Sequence, residues 1–394
     1  MDERFFIEVH CEQKSHGQER ICGDVFISRK VKEEGRIIVV LSDGMGHGVK
    51  ANMLATLTST MAINFTEEHK ELSRIADIIM NTLPVCSERK MSYATFTIID
   101  IEQDGLIRIM EYDNPQAVVL RDGEEFHPNW QCIMLTSDKN AGKEILSCSF
   151  YARKEDRILF FSDGITQSGL GSAKFPFGWG REAVSDYALK LVGDDPQISA
   201  KKLASKVVNL AHINDQYNLK DDTSCGVIYF REPRKLLLCT GPPFDETHDK
   251  VLAEAVRDFK GMKIICGATT SDIIARELKK EIIDSFVFED PDLPPVSSME
   301  GVDLITEGIL TLTKVTDILR NYGPATALGK GPADSIVKLL LESDEIHFLI
   351  GTKINIAHQD PNLPVDLEIR RTVVRRIVRL LEDKFLKEVN LTFI

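Results

Sequence analysis

The sequence predicts a mixed α/β protein in two parts: a β-sandwich flanked by helices over residues 1–231, and a parallel α/β domain over residues 232–394. Three observations carry this. Apolar runs such as Val39-Val40-Leu41 and Ile158-Leu159-Phe160-Phe161 are short, rich in β-branched and aromatic residues, and lead into Ser-Asp-Gly, as buried strands do when they reach a turn. In the first part these runs are interleaved with helix-like stretches. After Arg231-Glu232-Pro233-Arg234 strands and helices alternate, which is the pattern of a parallel sheet.

Taken in order, segments 5–10, 22–28 and 36–42 read as strands. Residues 49 to about 65 predict a helix, with Met53, Leu54, Leu57, Met61 and Phe65 recurring at three- and four-residue spacing as its apolar face. A second helix over 72–83 stops at Pro84, which cannot continue it. Strands 93–101 and 105–112 are joined by Gln103-Asp104-Gly105, a hairpin signal. Strands at 116–121, 145–151, 157–162 and 224–230, with helices near 181–192 and 197–211, complete the first part. In the second part, strands at 235–239, 262–266, 345–350 and 388–394 alternate with helices at 246–259, 271–281 and 366–386.

Bulk properties bound the function. A chain of 394 residues exceeds what one core usually holds. No apolar stretch reaches the ~18 residues needed to cross a bilayer, and Met1-Asp2-Glu3-Arg4 is too acidic for a secretory signal. The eight cysteines include no Cys-x-x-Cys pair and are expected to be reduced thiols of a cytoplasmic protein. The net charge of −13, from 61 acidic and 48 basic residues, argues against nucleic acid or an anionic membrane as partner.

The chemistry is carried by acids at strand ends: Gly23-Asp24, Ser42-Asp43-Gly44-Met45-Gly46-His47-Gly48, Ser162-Asp163-Gly164 and Asp221-Asp222-Thr223-Ser224. Carboxylates converging from separate strands repel one another unless cations sit between them, and oxygen-only donors select magnesium or manganese. An Asp-Gly after a strand is by itself most often a turn. The four motifs in this order resemble the metal-dependent serine/threonine phosphatases of type 2C, in particular their bacterial SpoIIE-like branch, over residues 1 to about 231. Ser92-Tyr93-Ala94-Thr95-Phe96 resembles the central strand of that fold. Tyr112-Asp113-Asn114-Pro115-Gln116 with Val118 to Gly123 resembles its hairpin, and Asp156 to Gln167 its most recognisable segment.

The resemblance implies dephosphorylation of phosphoserine or phosphothreonine on a partner protein, by activation of water between two manganese or magnesium ions. It makes Asp43 the ligand that bridges the two ions, with the Gly44 carbonyl completing the shell of the second ion. Asp163 and Asp221 bind the first ion, Asp222 being the alternative to Asp221. Asp24 holds metal-bound water. His47 is either a proton donor to the leaving oxygen or a helix-entry residue; it stands four residues after Asp43, where the family often places an acid histidine two residues after, here Met45. No arginine clearly suited to phosphate precedes Asp24, although Lys14 and Arg20 are candidates. A phosphatase-like scaffold that binds a phosphorylated partner without turnover is the rival.

The second domain has glycine-bearing stretches after apolar runs: Cys239-Thr240-Gly241, Cys266-Gly267-Ala268-Thr269-Thr270-Ser271 and Gly351-Thr352-Lys353-Ile354-Asn355. Strand ends of parallel sheets bind ligands, and helix N-termini attract anions. Gly241, Gly267, Thr269, Thr270, Ser271 and Lys353, with Arg276 adding charge, are therefore candidates for holding a small anionic ligand. The alternative is that these residues form tight turns, with Ser271 as an N-cap.

Overall fold

The computed structural model describes residues 5–394 apart from 18, 69–71, 83–93, 136–139, 141, 324–325, 354–365 and 386. Residues 1–4, Pro84, Ser92, Tyr93, Ile354 and Asn355, singled out above, lie outside the described residues. The chain divides into two compact units, Met1–Glu232 and Pro233–Ile394.

The first unit contains β1 (Phe6–Lys14), β2 (Asp24–Val31), β3 (Arg36–Asp43), α1 (Gly48–Glu67), α2 (Leu72–Thr82), β4 (Phe96–Ile101), β5 (Leu106–Tyr112), β6 (Val118–Arg121), β7 (Glu124–Phe126), β8 (Gln131–Met134), β9 (Glu144–Tyr151), β10 (Arg157–Phe161), α3 (Asp163–Thr166), α4 (Arg181–Asp194), α5 (Ala200–Asn214) and β11 (Thr223–Arg231). They build two sheets, β1-β11-β10-β6-β7 and β2-β3-β4-β5-β9-β8. Every ladder within them is antiparallel. Strand side chains alternate between faces, so each sheet presents one face to the other. Val39, Leu41, Ile99 and Ile109 of the second sheet meet Val119, Ile158, Phe160 and Ile228 of the first in a shared core. The outer face of the first sheet packs on α4 and α5, and that of the second on α1 and α2. The sandwich with flanking helices is as the sequence predicts.

The buried face of α1 differs from the expectation. It consists of small residues, Ala51, Ala55, Thr58, Ser59 and Ala62, with Ile63 and Thr66. Met53 is 67% exposed and Leu57 45% exposed. The first turns of the helix lie so close to the sheet that short side chains fill the space beneath them, while toward its end Ile63 is buried and the expected Met61 and Phe65 pack on the core. Its C-terminus is anchored by Arg36, whose Nη2 donates to the Thr66 carbonyl (2.7 Å) while Nε and Nη2 form a bidentate pair with Asp100 at 2.7 and 2.8 Å.

The second unit contains β12 (Lys235–Thr240), α6 (Asp249–Asp258), β13 (Met262–Cys266), α7 (Ala268–Leu278), β14 (Ile282–Asp284), β15 (Ser297–Met299), β16 (Val302–Thr306), α8 (Ile309–Asn321), α9 (Pro332–Glu342), β17 (Glu345–Ile350), α10 (Asp366–Asp383) and β18 (Glu388–Phe393). The sheet order is β14-β15-β16-β13-β12-β17-β18. The five strands β16, β13, β12, β17 and β18 are parallel, and β14 and β15 add an antiparallel edge. Strand order reverses at β12, so the crevice between the carboxyl ends of β12 and β17 is the switch point of the sheet. Helix α7 begins at Ala268, three residues ahead of the expected start. Gly267, at φ 120°, is its N-cap because a left-handed turn joins it to β13. Among the described residues no helix is long and apolar enough to cross a membrane, and the seven described cysteines are free thiols.

Candidate active site

The acidic motifs meet at one end of the sandwich. Asp24 opens β2, and Asp43 closes β3 directly opposite it in the ladder. Asp163 follows β10 at the start of α3, and Asp221-Asp222 precede β11, the strand that pairs with β10. The two sheets are stapled here. Ser162 Oγ and Ser224 Oγ both donate to Asp24 Oδ2, at 2.7 and 2.6 Å. Gln13 Nε2 donates to Ser224 Oγ at 3.0 Å. Sequence reasoning passed over Ser162 and Ser224, although both stand inside the acidic motifs.

Burial and mutual repulsion govern the carboxyls. Burial, then Asp24, Asp163 and Asp221, hold Asp43 well above the usual carboxylate range. Asp24 is pushed up to about 7, chiefly by burial. Asp221 is pushed up to about 6 by burial and then by Asp163. Asp163 is also raised by burial, against hydrogen bonding from its neighbours. Its Oδ2 accepts from Gln167 Nε2 (2.7 Å), while its buried Oδ1 has no hydrogen-bond partner. Asp24 Oδ1 is likewise buried and unpartnered.

A cavity of about 750 Å³ opens over these groups; its acidic lining is Asp43, Glu111, Asp113, Glu144, Asp163 and Asp221. No lysine, arginine or histidine is among the described residues that line it. An all-oxygen donor set with orphaned buried oxygens and mutually raised pKa values suits hard divalent cations. The side chains do not form a closed cage: among the described residues no three acidic, histidine or cysteine side chains are placed to hold one ion together.

The other expected residues fall as follows. Asp221 lines the cavity, whereas Asp222 is 1% exposed and accepts the His16 backbone N–H through Oδ1 at 2.9 Å. The missing side chain of Gly44 makes room for α1: a Cβ there would lie 2.0 Å from the Ala51 carbonyl oxygen. His47 is the N-cap residue of α1 without a capping side-chain bond. Its ring stacks on His16 at 4.9 Å, and its Nδ1 lies 3.1 Å from Glu19 Oε1. It is outside the cavity lining. Lys14 is turned toward α5, with its Nζ donating to Asn209 Oδ1 at 2.8 Å. Arg20 is exposed. Glu111 and Asp113, in the quoted hairpin segment or beside it, line the cavity without having been singled out.

In the second unit Gly241, Gly267 and Gly351 follow β12, β13 and β17, adjacent parallel strands, and so stand on one edge of the sheet. The backbones after β12 and β17 are in close contact: a Cβ on Gly351 would lie 2.1 Å from the Pro242 carbonyl oxygen, and one on Gly241 2.5 Å from Arg370 Nη1. Thr269 is exposed, and Thr270 and Ser271 are buried. Ser271 lies inside the first turn of α7 and donates to the Ala268 carbonyl at 2.7 Å, so it does not cap the helix. Lys353 Nζ is 3.3 Å from Glu246 Oε1, and Arg276 pairs with Asp249 at 2.6 Å.

Among solved structures, the chain is similar to the PP2C phosphatase domain with a regulatory-domain fragment of the cell fate determinant SpoIIE from Bacillus subtilis. Identity is 14% and the TM-score 0.46, over 58% of this chain and 64% of that one. It is similar to the RsbU and RsbW domains of a Mycobacterium tuberculosis protein at 15% identity and a TM-score of 0.46, over 65% and 69% of the two chains. It is also similar to the catalytic domain of the serine/threonine protein phosphatase PstP in complex with two manganese ions, at 14% identity and a TM-score of 0.38, over 58% and 100%. No curated protein matches. The sequence profile of the family described as Stage II sporulation protein E matches residues 33–231, half of the chain, and the chain therefore belongs to the SpoIIE family of type 2C phosphatase domains.

Proposed function

We propose that the first unit removes phosphate from phosphoserine or phosphothreonine on a partner protein, using two manganese or magnesium ions. The observation that carries this is the convergence of Asp43, Asp163 and Asp221 on one cavity, with an unpartnered buried oxygen on Asp163. Asp43, Asp163 and Asp221, with the Gly44 carbonyl at the end of β3, would hold the ions. When bound, the ions lower the pKa of water and stabilise charge on the phosphoryl oxygens.

The chain's own residues set the geometry. Gln167 fixes the Asp163 carboxylate through Oδ2 and leaves Oδ1 for coordination. Asp24 commits Oδ2 to two serine hydroxyls, which locks the ends of the two sheets together beneath the site. A cavity without a cationic lining residue repels a phosphate dianion while it is metal-free, so substrate binding follows metal loading. The His47 ring is engaged by Glu19 and His16 and is not among the residues that line the cavity. Manganese-dependent phosphate release from a phosphoserine peptide, lost in Asp43→Asn, is the test. A folded chain that binds manganese but hydrolyses neither a phosphopeptide nor an aryl phosphate would establish the scaffold instead.

For the second unit we infer a regulatory role: it senses a small anionic ligand, or docks the partner, at the edge that carries Gly241, Gly267 and Gly351. The free amides at the start of α7 support an anion there. Thermal shift of the full chain against a panel of phosphorylated and carboxylated metabolites tests it, with Lys353→Ala expected to reduce any stabilisation found. No shift with any of them would leave partner docking as the role.

A further inference from the structure

The cavity holds more carboxyl groups than the metal ions need. Asp43, Asp163 and Asp221 account for the proposed ligands, yet Glu111, Asp113 and Glu144 also line it. Glu111 is 2% exposed, and its buried Oε2 has no hydrogen-bond partner, while its Oε1 accepts the Ala117 backbone N–H at 2.9 Å. Leaving a buried acceptor unsatisfied is unfavourable. Burial alone would favour an apolar residue at that place.

Glu111 lies opposite Leu146 in the β5–β9 ladder, with Glu144 two residues away on β9, so the three stand together on that side of the cavity. Asp113, two residues beyond Glu111, also raises Asp163, so this wall adjoins the aspartates proposed as ligands. The nearby cations are already engaged. Arg181 donates to the carbonyls of Gln116 and Ala117, at 3.0 and 3.1 Å, and pairs with Glu125. Lys143 acts on Asp113 from outside the lining and donates to Asn140 Oδ1 at 3.0 Å. The apolar lining is Met45, Ala94, Pro115 and Leu146. This combination matches a long side chain with an apolar stem and a cationic head.

We propose that the part of the cavity walled by Glu111, Asp113 and Glu144 is a specificity subsite. It takes a lysine or arginine side chain of the phosphorylated partner, close in sequence to the phosphoserine. The cationic head supplies the partner that Glu111 Oε2 lacks, and the stem lies along Leu146 and Pro115. The inference rests on the phosphatase reading above and names which phosphoproteins the site selects.

The test uses the full chain with manganese. A lysine is placed in turn at each position on either side of the phosphoserine in an otherwise neutral peptide, and kcat/KM is compared with the same peptide carrying norleucine there. Aryl phosphate hydrolysis runs alongside as a measure of chemistry without a peptide. At one position or more, lysine raises kcat/KM about tenfold or more, the equivalent of about 1.4 kcal/mol. In Glu111→Gln and Glu144→Gln the lysine-to-norleucine ratio falls toward one. Equal kcat/KM for every peptide in the parent overturns the subsite while leaving the phosphatase reading intact. An unchanged ratio in both variants overturns it as well. If the parent hydrolyses neither peptide nor aryl phosphate, the phosphatase reading fails and the subsite falls with it.

Discussion

Gly44→Ala separates two explanations for the glycine beside Asp43. One is that a bare backbone is needed for an ion to approach; the other is that α1 needs the space. The structure favours the second. A Cβ at position 44 would stand 2.0 Å from the Ala51 carbonyl oxygen and 2.6 Å from its carbon, where real Cβ atoms keep at least 3.0 Å. The end of β3 and the first turns of α1 must then part by about 1 Å. Neither contact is with a flexible side-chain tip, so the backbone has to move. Overpacking of this kind costs about 1–3 kcal/mol. A displacement of about 1 Å beside Asp43, the proposed ligand, can cost about a hundredfold in rate. Urea unfolding should be run on the metal-free chain and again with manganese, with phosphopeptide hydrolysis measured where the variant is fully folded. The expected outcome is a loss of about 1–3 kcal/mol already present without metal, and turnover reduced about a hundredfold. Full metal-free stability, with a deficit that appears only when manganese is added, would refute the packing explanation and return the glycine to the ion.

Asp43→Asn should abolish manganese-dependent turnover and most of the stabilisation by manganese, which for a site at a hundredfold excess over Kd is about 2.7 kcal/mol in the parent; an equal Tm rise in both would count against Asp43 as ligand. Glu111 is pushed up to about 8 from 4.5, chiefly by burial. A raised folded pKa means the folded state keeps its proton longer, so this contribution is full below about pH 4 and is lost as pH rises through about 8. Glu111→Gln should therefore be more stable than the parent at pH 8, by at most about 5 kcal/mol, with the gain vanishing near pH 4; urea titrations at the two pH values check it. A fragment ending at Glu232 should fold and hydrolyse an aryl phosphate, since all the proposed ligands lie in the first unit; a folded fragment that takes up no manganese would remove the site from that unit. Arg36→Met leaves the buried Asp100 carboxylate with only the longer, 3.7 Å contact to Arg108 and should cost about 3 kcal/mol. Adding Asp100→Leu should recover much of it, and purely additive losses would show that the two do not act as a pair.

How much was legible follows from what each signal reports. The aspartates that line the cavity could be read because a buried strand must be apolar until it ends, and an acid placed there has few structural uses. The face of α1 could not. Hydropathy marks Met53 and Leu57 as core, but a helix lying close on a sheet buries Ala51, Ala55 and Ser59 instead. The start of α7 was misplaced because Ser271 resembles a cap, while Gly267 makes the turn through a left-handed φ that a side chain disfavours. The short strands β14 and β15 are three residues each and give too little alternation to be seen. The onset of α9 was available from Gly331-Pro332, since proline suits the first turn of a helix. Glu111 gave no sign, as one acid in an apolar strand has no period.

The pairing of β1 with β11 has a consequence for how the first unit comes into being. Phe6 lies opposite Arg231 and Lys14 opposite Thr223, so the earliest strand of the unit waits for the last. During synthesis the chain between them must be held without its final ladder until residue 231 has left the ribosome. Contacts of such long sequence separation slow folding, because loop closure must precede their reward. The same closure brings the beginning and end of the unit side by side. A version with those ends joined and a new break opened in the turn at Asp122-Gly123 would make β1 and β11 a hairpin, but would leave β7 first and β6 last, and these two pair with each other. The long closure is moved and not removed, so this version should fold no faster than the natural connectivity.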